Sequence, residues 1–168
     1  MKIKRKIPRK NPKKFEIFSV YGCEENDRDD DICYYVNDAY DLFNKYKIRL
    51  SNYEKPALIA ISENDKLAGA LFGGELPISD LEEITIRFSV VVDEKYRRSG
   101  IYRSLLKEFL NDSVRNYKNL YDFETLVFSA WVINPNTIPV LEENGFESTS
   151  FRQRWSQDSP FYEKRVDL

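Results

Sequence analysis

A chain of 168 residues with 42% hydrophobic and 14% aromatic residues has enough apolar surface for one well-packed domain of ordinary globular composition. Its formal charge of −2 conceals an uneven distribution: residues 1–14 carry eight Lys or Arg and no acid, leaving 18 basic against 28 acidic residues in the rest. Histidine is absent, which excludes a Ser-His-Asp triad, a Cys-His pair and any histidine metal site, so acid–base work falls to Asp, Glu, Tyr, Lys, Cys or water. No apolar run reaches the length of a membrane span and no secretory leader is read, so a soluble, cytoplasmic protein is expected. Cys23 and Cys33 stand in no metal-ligand spacing and are read as buried, inert thiols rather than as a disulfide.

Residues 1–14, with Pro8 and Pro12 and little to bury, read as a mobile basic arm ahead of a single domain over residues 15–168. The arm would either hold a polyanion such as nucleic acid or act as a solubilising tail on the acidic body, the second reading being favoured. Phe15–Val20 alternates as a first strand. Asp27–Asp31 then supplies acid ahead of an amphipathic run in which Ile32, Tyr35, Val36, Ala39, Leu42, Phe43 and Tyr46 recur at helical spacing. No glycine-punctuated calcium loop surrounds the aspartates, so they read as helix-start charge rather than metal ligands. The tyrosines of this helix read as core and rim, with the lining of a substrate pocket left open.

Ala57–Ser62 and Leu67–Gly73 form two strands joined at Asn64-Asp65, a tight hairpin connection. Ile84–Val92 is the next strand, with Ile84, Ile86, Phe88, Val90 and Val92 on one face and Thr85, Arg87, Ser89 and Val91 on the other. Ile101, Leu105, Leu106, Phe109, Leu110 and Val114 then make one face of a helix. Leu126–Val132 is a further strand. Asn134-Pro135-Asn136 opens a short helix that tolerates Pro139 in its first turn and closes on Gly145. Phe146–Trp155 and Phe161–Val166 pair as a closing hairpin. The order predicts a mixed α/β sheet.

Val90 to Leu106 carries the chemistry. A buried strand runs into the turn Tyr96-Arg97-Arg98-Ser99-Gly100, and a helix begins at Ile101. Backbone N–H groups at a helix start, ringed by positive side chains at the end of a strand, suit a phosphate or pyrophosphate. A plain solvated connection is the competing reading.

This order, with Arg97-Arg98-Ser99-Gly100-Ile101-Tyr102 after a buried strand and Asn134 followed by a helix and Gly145-Phe146, resembles the GNAT superfamily of acyl-CoA-dependent N-acetyltransferases. The first motif matches the family's Arg/Gln-x-x-Gly-x-Gly/Ala loop and the second its Asn-helix-Gly-Phe ending. The likeness covers nearly everything but the basic arm. It implies a mostly antiparallel central sheet of six or seven strands flanked by about four helices, with a splayed notch for the cofactor. It also implies acetyl-CoA as cosubstrate, without a metal. Pyrophosphate would rest on backbone N–H groups from Arg98 to Arg103, with charge added by Arg97, Arg98 and Arg103. The pantetheine arm would pair with Val90, Val91 and Val92, and Asn134 would bond its amides. A backbone N–H near Val91 would stabilise the tetrahedral oxyanion.

Departures from the family pattern qualify this resemblance. Tyr102 occupies a position that is usually small. Leu141 stands where many members have a tyrosine that protonates the departing thiolate. Ile86 and Ser129 fill the common glutamate positions, leaving Glu82 and Glu83, at the start of their strand, as weak candidates for a base acting through water. A site without an evident base leans toward an amine of low pKa: a peptide α-amine near ~8 or a small amine rather than a lysine near ~10.4. The acidic body would attract cationic acceptors. The resemblance also implies that the closing hairpin could pair with another subunit in a homodimer. The competing readings are an acyl-CoA-binding or scaffold protein without turnover, and a nucleic-acid-docking protein acting through the arm.

Overall fold

The computed structural model describes residues 14–23, 32–77, 82–120, 123–149 and 161–168. Among them run β1 (Phe15–Ser19), α1 (Tyr35–Lys45), β2 (Lys55–Ser62), β3 (Leu67–Glu75), β4 (Glu83–Val92), α2 (Ile101–Leu120), β5 (Thr125–Trp131), α3 (Ile138–Glu143), β6 (Glu147–Ser148) and β7 (Phe161–Asp167). The seven strands form one sheet in the order β1-β2-β3-β4-β5-β7-β6. Every adjacent pair is antiparallel except β4 with β5, which run parallel. The expected mixed, mostly antiparallel sheet is therefore present. Three α-helices stand among the described residues where about four were expected. The basic arm up to residue 13, and the hairpin's outer part at residues 150–160, lie outside the described residues.

Side-chain alternation divides the core between the two faces of the sheet. On one face, Val36, Ala39, Leu42 and Phe43 of α1 cover Ile59, Ala70, Phe72 and Val91. On the other, Ile101, Leu105, Leu106 and Phe109 of α2 cover Leu58, Leu71, Ile86, Phe88 and Phe128, with Leu141 and Phe146 closing the end. The hairpin between β2 and β3 turns at Asp65, whose φ of 55° an Asp tolerates better than most residues. Gly145, at φ 83°, ends α3 as the sequence indicates: its N–H bonds the Glu142 carbonyl, and the Phe146 N–H bonds that of Leu141.

Gly73 and Gly74 work on opposite faces of β3. A Cβ at Gly73 would meet the Phe109 ring at 2.6 Å, whereas one at Gly74 would stand 1.7 Å from the Tyr53 carbonyl oxygen. The second glycine thus lets the segment after α1 lie directly on the sheet, which sets Glu54 over β4.

Cys23 and Cys33 form a disulfide with Cα atoms 5.4 Å apart, correcting the expectation of free thiols. The chain leaves β1 and re-enters α1 on the same side of the core, so the two side chains converge. Their separation of ten residues carries no such information by itself. No helix among the described residues is long and apolar enough to cross a membrane.

Candidate active site

The ladder between β4 and β5 runs from Glu83↔Thr125 to Arg87↔Ser129 and ends there. Beyond it, β4 continues to pair with β3 up to Gly69↔Val92, while β5 pairs with β7 up to Trp131↔Phe161. The two strands therefore part, and a cavity of about 650 Å³ opens beside the last turn of β4. Val90, Val91, Val92, Arg97, Arg98, Gly100, Ile101, Tyr102, Arg103 and Asn134 all line it, so the residues from both sequence motifs meet in one place. Ser99 is not among its lining residues. Its hydroxyl donates to the Tyr96 carbonyl and shapes the turn.

The turn gathers backbone N–H groups at the start of α2. Asp93 accepts the Lys95 N–H at 3.2 Å and starts a single 3-10 turn over Glu94–Tyr96. Arg98 (φ 63°) and Gly100 (φ 86°) then take left-handed conformations before α2 begins at Ile101. Such reversals gather successive N–H groups on one side. The first N–H groups of a 20-residue helix add to them, because they have no acceptor in a preceding turn.

Around the turn, Arg97 lies 4.7 Å over the Tyr46 ring and donates through Nε to the Val92 carbonyl at 3.4 Å. The Tyr46 hydroxyl accepts the Glu94 N–H at 2.9 Å, so one ring from the end of α1 braces both the turn and its arginine. Arg103 is held by Glu143 at 3.0 Å, and both side chains are 55% exposed, so the ion pair is a weak one. Asn134 accepts the Asn136 N–H at 3.0 Å and thereby opens the 3-10 turn Pro135–Thr137. Its amide NH₂ is the end that can donate into the cavity. Burial pushes the Tyr102 phenol up to about 12, opposed in part by its hydrogen bond with Thr137. The phenol therefore stays protonated at neutral pH.

The sequence matches no family model and no curated protein. Solved structures are similar over nearly the whole chain. The ribosomal-protein-S18-alanine N-acetyltransferase of Escherichia coli aligns over 92% of this chain and 94% of its own, at 15% identity and a TM-score of 0.54. The yncA protein of Salmonella typhimurium, solved with its cofactor acetyl-CoA, covers 92% and 94% at 16% identity and a TM-score of 0.52. The chain has the GNAT fold.

Within this GNAT fold the backbone of β4 corrects one expectation. The Thr85 carbonyl accepts from Leu76, and the Asp93 N–H donates to Ala68, so odd-numbered residues turn their peptide groups toward β3. The Glu82 carbonyl accepts from Thr125, so even-numbered residues face β5. The ladder between β3 and β4 has no register shift to reverse this parity. The Val91 N–H therefore points into the sheet rather than into the notch. Val90 and Val92 present the open N–H and carbonyl groups.

Glu82 and Glu83 do not reach the cavity. They stand at the far end of β4, where the seven residue steps from Glu83 to Val90 span about 23 Å. Glu83 is bonded to Arg165, and the Glu82 carbonyl is occupied by β5. Neither serves as a base at the notch. Leu141 is fully buried in the α2-side core, and Thr137 and Val140 line the cavity instead. Ile86 is core, and Ser129 is fully buried with no hydrogen-bond partner for its hydroxyl.

Sequence reasoning missed Ile48, Thr137 and Val140 in the cavity wall, and left the role of Tyr46 open. It also missed Glu54, a carboxylate only 4% exposed that accepts from the Ser51 N–H at 2.7 Å and from the Ser89 hydroxyl. It lies between Tyr53 and Lys55, the first residue of β2, and no local pattern marks it. A second depression of about 490 Å³, between α1 and the 3-10 turn, mixes Asp38, Asp41 and Asp93 with Lys45, Lys66 and Lys95.

Proposed function

We propose that the protein transfers an acetyl group from acetyl-CoA to a primary amine, with a peptide α-amine or a small amine as acceptor. The observation that carries this is the open edge of β4 at Val90 and Val92 leading directly into the Arg97–Gly100 cradle and the start of α2. A ligand with a polyamide arm and a pyrophosphate matches both parts in that order.

In this reading the N–H groups of residues 98–103 take the pyrophosphate. The side chains of Arg97, Arg98 and Arg103 add charge, the last after leaving Glu143. The pantetheine amides extend the sheet beside Val90 and Val92, with Asn134 opposite. The thioester carbonyl lies on an open β4 N–H, which Val90 or Val92 supplies, and this donor holds the oxyanion as the amine attacks. Coenzyme A leaves as a thiol of pKa ~8.5, so acid assistance is useful without being essential. Holding thioester and amine together in the notch supplies about 7–11 kcal/mol of the acceleration. The α-amine preference is supported by a neighbour whose name gives an alanine of a ribosomal protein as its acceptor.

One observation favours binding without turnover: the Tyr102 ring occupies cavity wall where the family pattern has a small residue. A single assay separates the readings. The protein is incubated with acetyl-CoA and, separately, a peptide with a free N-terminal alanine, an N-blocked lysyl peptide and spermidine, and thiol release is followed. Release with the alanyl peptide or spermidine is expected. Acetyl-CoA binding without release from any amine would replace the transferase by a binding protein.

A further inference from the structure

We propose that Ser89 and Glu54 form a two-residue proton relay that takes the proton from the incoming ammonium; this rests on the transferase reading above.

The cofactor's expected phosphate cradle lies at the start of α2, and α2 packs on one face of the sheet. A thioester passing through the notch is then met by its amine from the other face, the one covered by α1. The cavity reaches that face, because Tyr46 and Ile48, which follow the body of α1, line it. The chain continues from Ile48 through Ser51 to Glu54, pressed onto β3 where Gly74 leaves room for the Tyr53 carbonyl.

Ser89 shares this face with Arg87 and Val91. It is the next residue on the face after Arg87, where the ladder to β5 stops, and it adjoins Val90, whose peptide opens on the notch. Its hydroxyl donates to Glu54 Oε1, and Glu54 Oε2 is held by the Ser51 N–H. With 4% of its surface exposed, Glu54 cannot meet a substrate directly. The Ser89 hydroxyl links it to β4 beside Val90, a residue of the cavity wall. Other charged groups on this face include Arg87, whose guanidinium lies 5.6 Å from the Trp131 ring, Glu83 at the start of β4, and Glu163 and Arg165 on β7, while α1, which covers the face, carries Asp38, Asp41 and Lys45.

The step balances as follows. The ammonium gives a proton to Ser89 Oγ as Ser89 gives its own to Glu54, leaving a neutral amine and a neutral carboxylic acid. The nitrogen lone pair attacks the thioester carbon, and the carbon–sulfur bond breaks with its electron pair on sulfur. The second nitrogen proton passes to that thiolate. Once the amide has left, Glu54 returns its proton through the Ser89 hydroxyl to water in the notch. Ser89 is the catalytic residue, and Glu54 is the positioning residue behind it.

The test compares Glu54→Gln, Ser89→Ala and Ser89→Thr with the unaltered chain, using acetyl-CoA with an alanyl peptide of α-amine pKa ~8 and, separately, spermidine. Acetyl-CoA binding is measured for each protein by its thermal shift. Without the relay, only free amine reacts. For the alanyl peptide the ratio of unaltered to variant kcat/KM then grows as pH falls, up to about 10-fold at pH 7 and about 100-fold at pH 6, and is near unity above pH 9. That gradient is expected in Glu54→Gln and Ser89→Ala, with Ser89→Thr restored and cofactor binding intact. A loss independent of pH marks Glu54 as a loop brace and overturns the relay, as does no loss. Turnover of neither amine by the unaltered chain overturns the relay while cofactor binding still stands. Absence of acetyl-CoA binding overturns the transferase reading and the relay with it.

Discussion

Gly100→Glu tests the cradle most directly, because its two effects separate. The residue sits at φ 86°, a region that costs a side-chain-bearing residue about 1–2 kcal/mol, and nothing lies within 4 Å of the Cβ it would gain. The unliganded fold therefore loses only backbone strain, which lowers the melting temperature by about 2–8 °C for a chain of this size. The ligand effect is larger. A carboxylate about 4 Å from a pyrophosphate charge costs about 4 kcal/mol at an effective dielectric of 20, roughly a thousandfold in affinity. In the unaltered protein, acetyl-CoA at a hundred times its dissociation constant adds about 2.7 kcal/mol, or about 5–11 °C. Differential scanning fluorimetry with and without acetyl-CoA reads both terms, and Gly100→Ala isolates the strain. The expected result is a modest loss in the apo protein for both variants, with the acetyl-CoA shift lost in Gly100→Glu. An acetyl-CoA shift of unchanged size in Gly100→Glu would refute the placement of the cofactor.

Three other outcomes follow from the packing. Gly74→Ala sets a methyl 1.7 Å from the Tyr53 carbonyl and forces backbone to move, so chemical denaturation should show a loss of about 1–3 kcal/mol. Reducing the Cys23–Cys33 bridge, with its separation of ten residues, should cost about 2–3 kcal/mol by loop entropy, read as the difference in urea midpoint with and without reductant. The raised Tyr102 phenol binds its proton more tightly in the folded chain than in the unfolded one. Its contribution is fully present below pH 10 and lost as pH rises toward 12. Tyr102→Phe should therefore flatten part of the alkaline fall in stability between pH 10 and 12, measured by denaturation at each pH, and an unchanged slope would contradict the burial of that hydroxyl.

Much of the site was legible because it is local. Arg97 to Tyr102 reads as a cradle because a strand, a glycine and a helix start follow one another directly, and such a sequence of elements has few geometries. The edge of β4 was only half legible. Alternating hydrophobicity assigns Val90 and Val92 to one face and Val91 to the other, but side-chain direction and peptide direction are separate properties of a strand. Which peptides remain open depends on which neighbour is lost, and that neighbour is β5, encoded more than thirty residues later. Reading the oxyanion donor as Val91 failed for that reason. Glu82 and Glu83 failed for a simpler one: an extended strand carries its two ends too far apart to share a site.

The amino-acid pattern by itself determined the elements and their order, the hairpin at Asn64-Asp65, the cap at Gly145 and the strand–turn–helix layout from Val90 to Leu106, since each follows from periodicity or from φ values that few residues adopt. Tertiary structure alone decided the pairing of Cys23 with Cys33, the stacking of Arg97 on Tyr46, the burial of Leu141 away from the cavity and the bond between Ser89 and Glu54, 35 residues apart. These depend on which faces of separate elements meet when apolar side chains leave water. The free energy of that burial belongs to the assembled core and to no single segment of the chain.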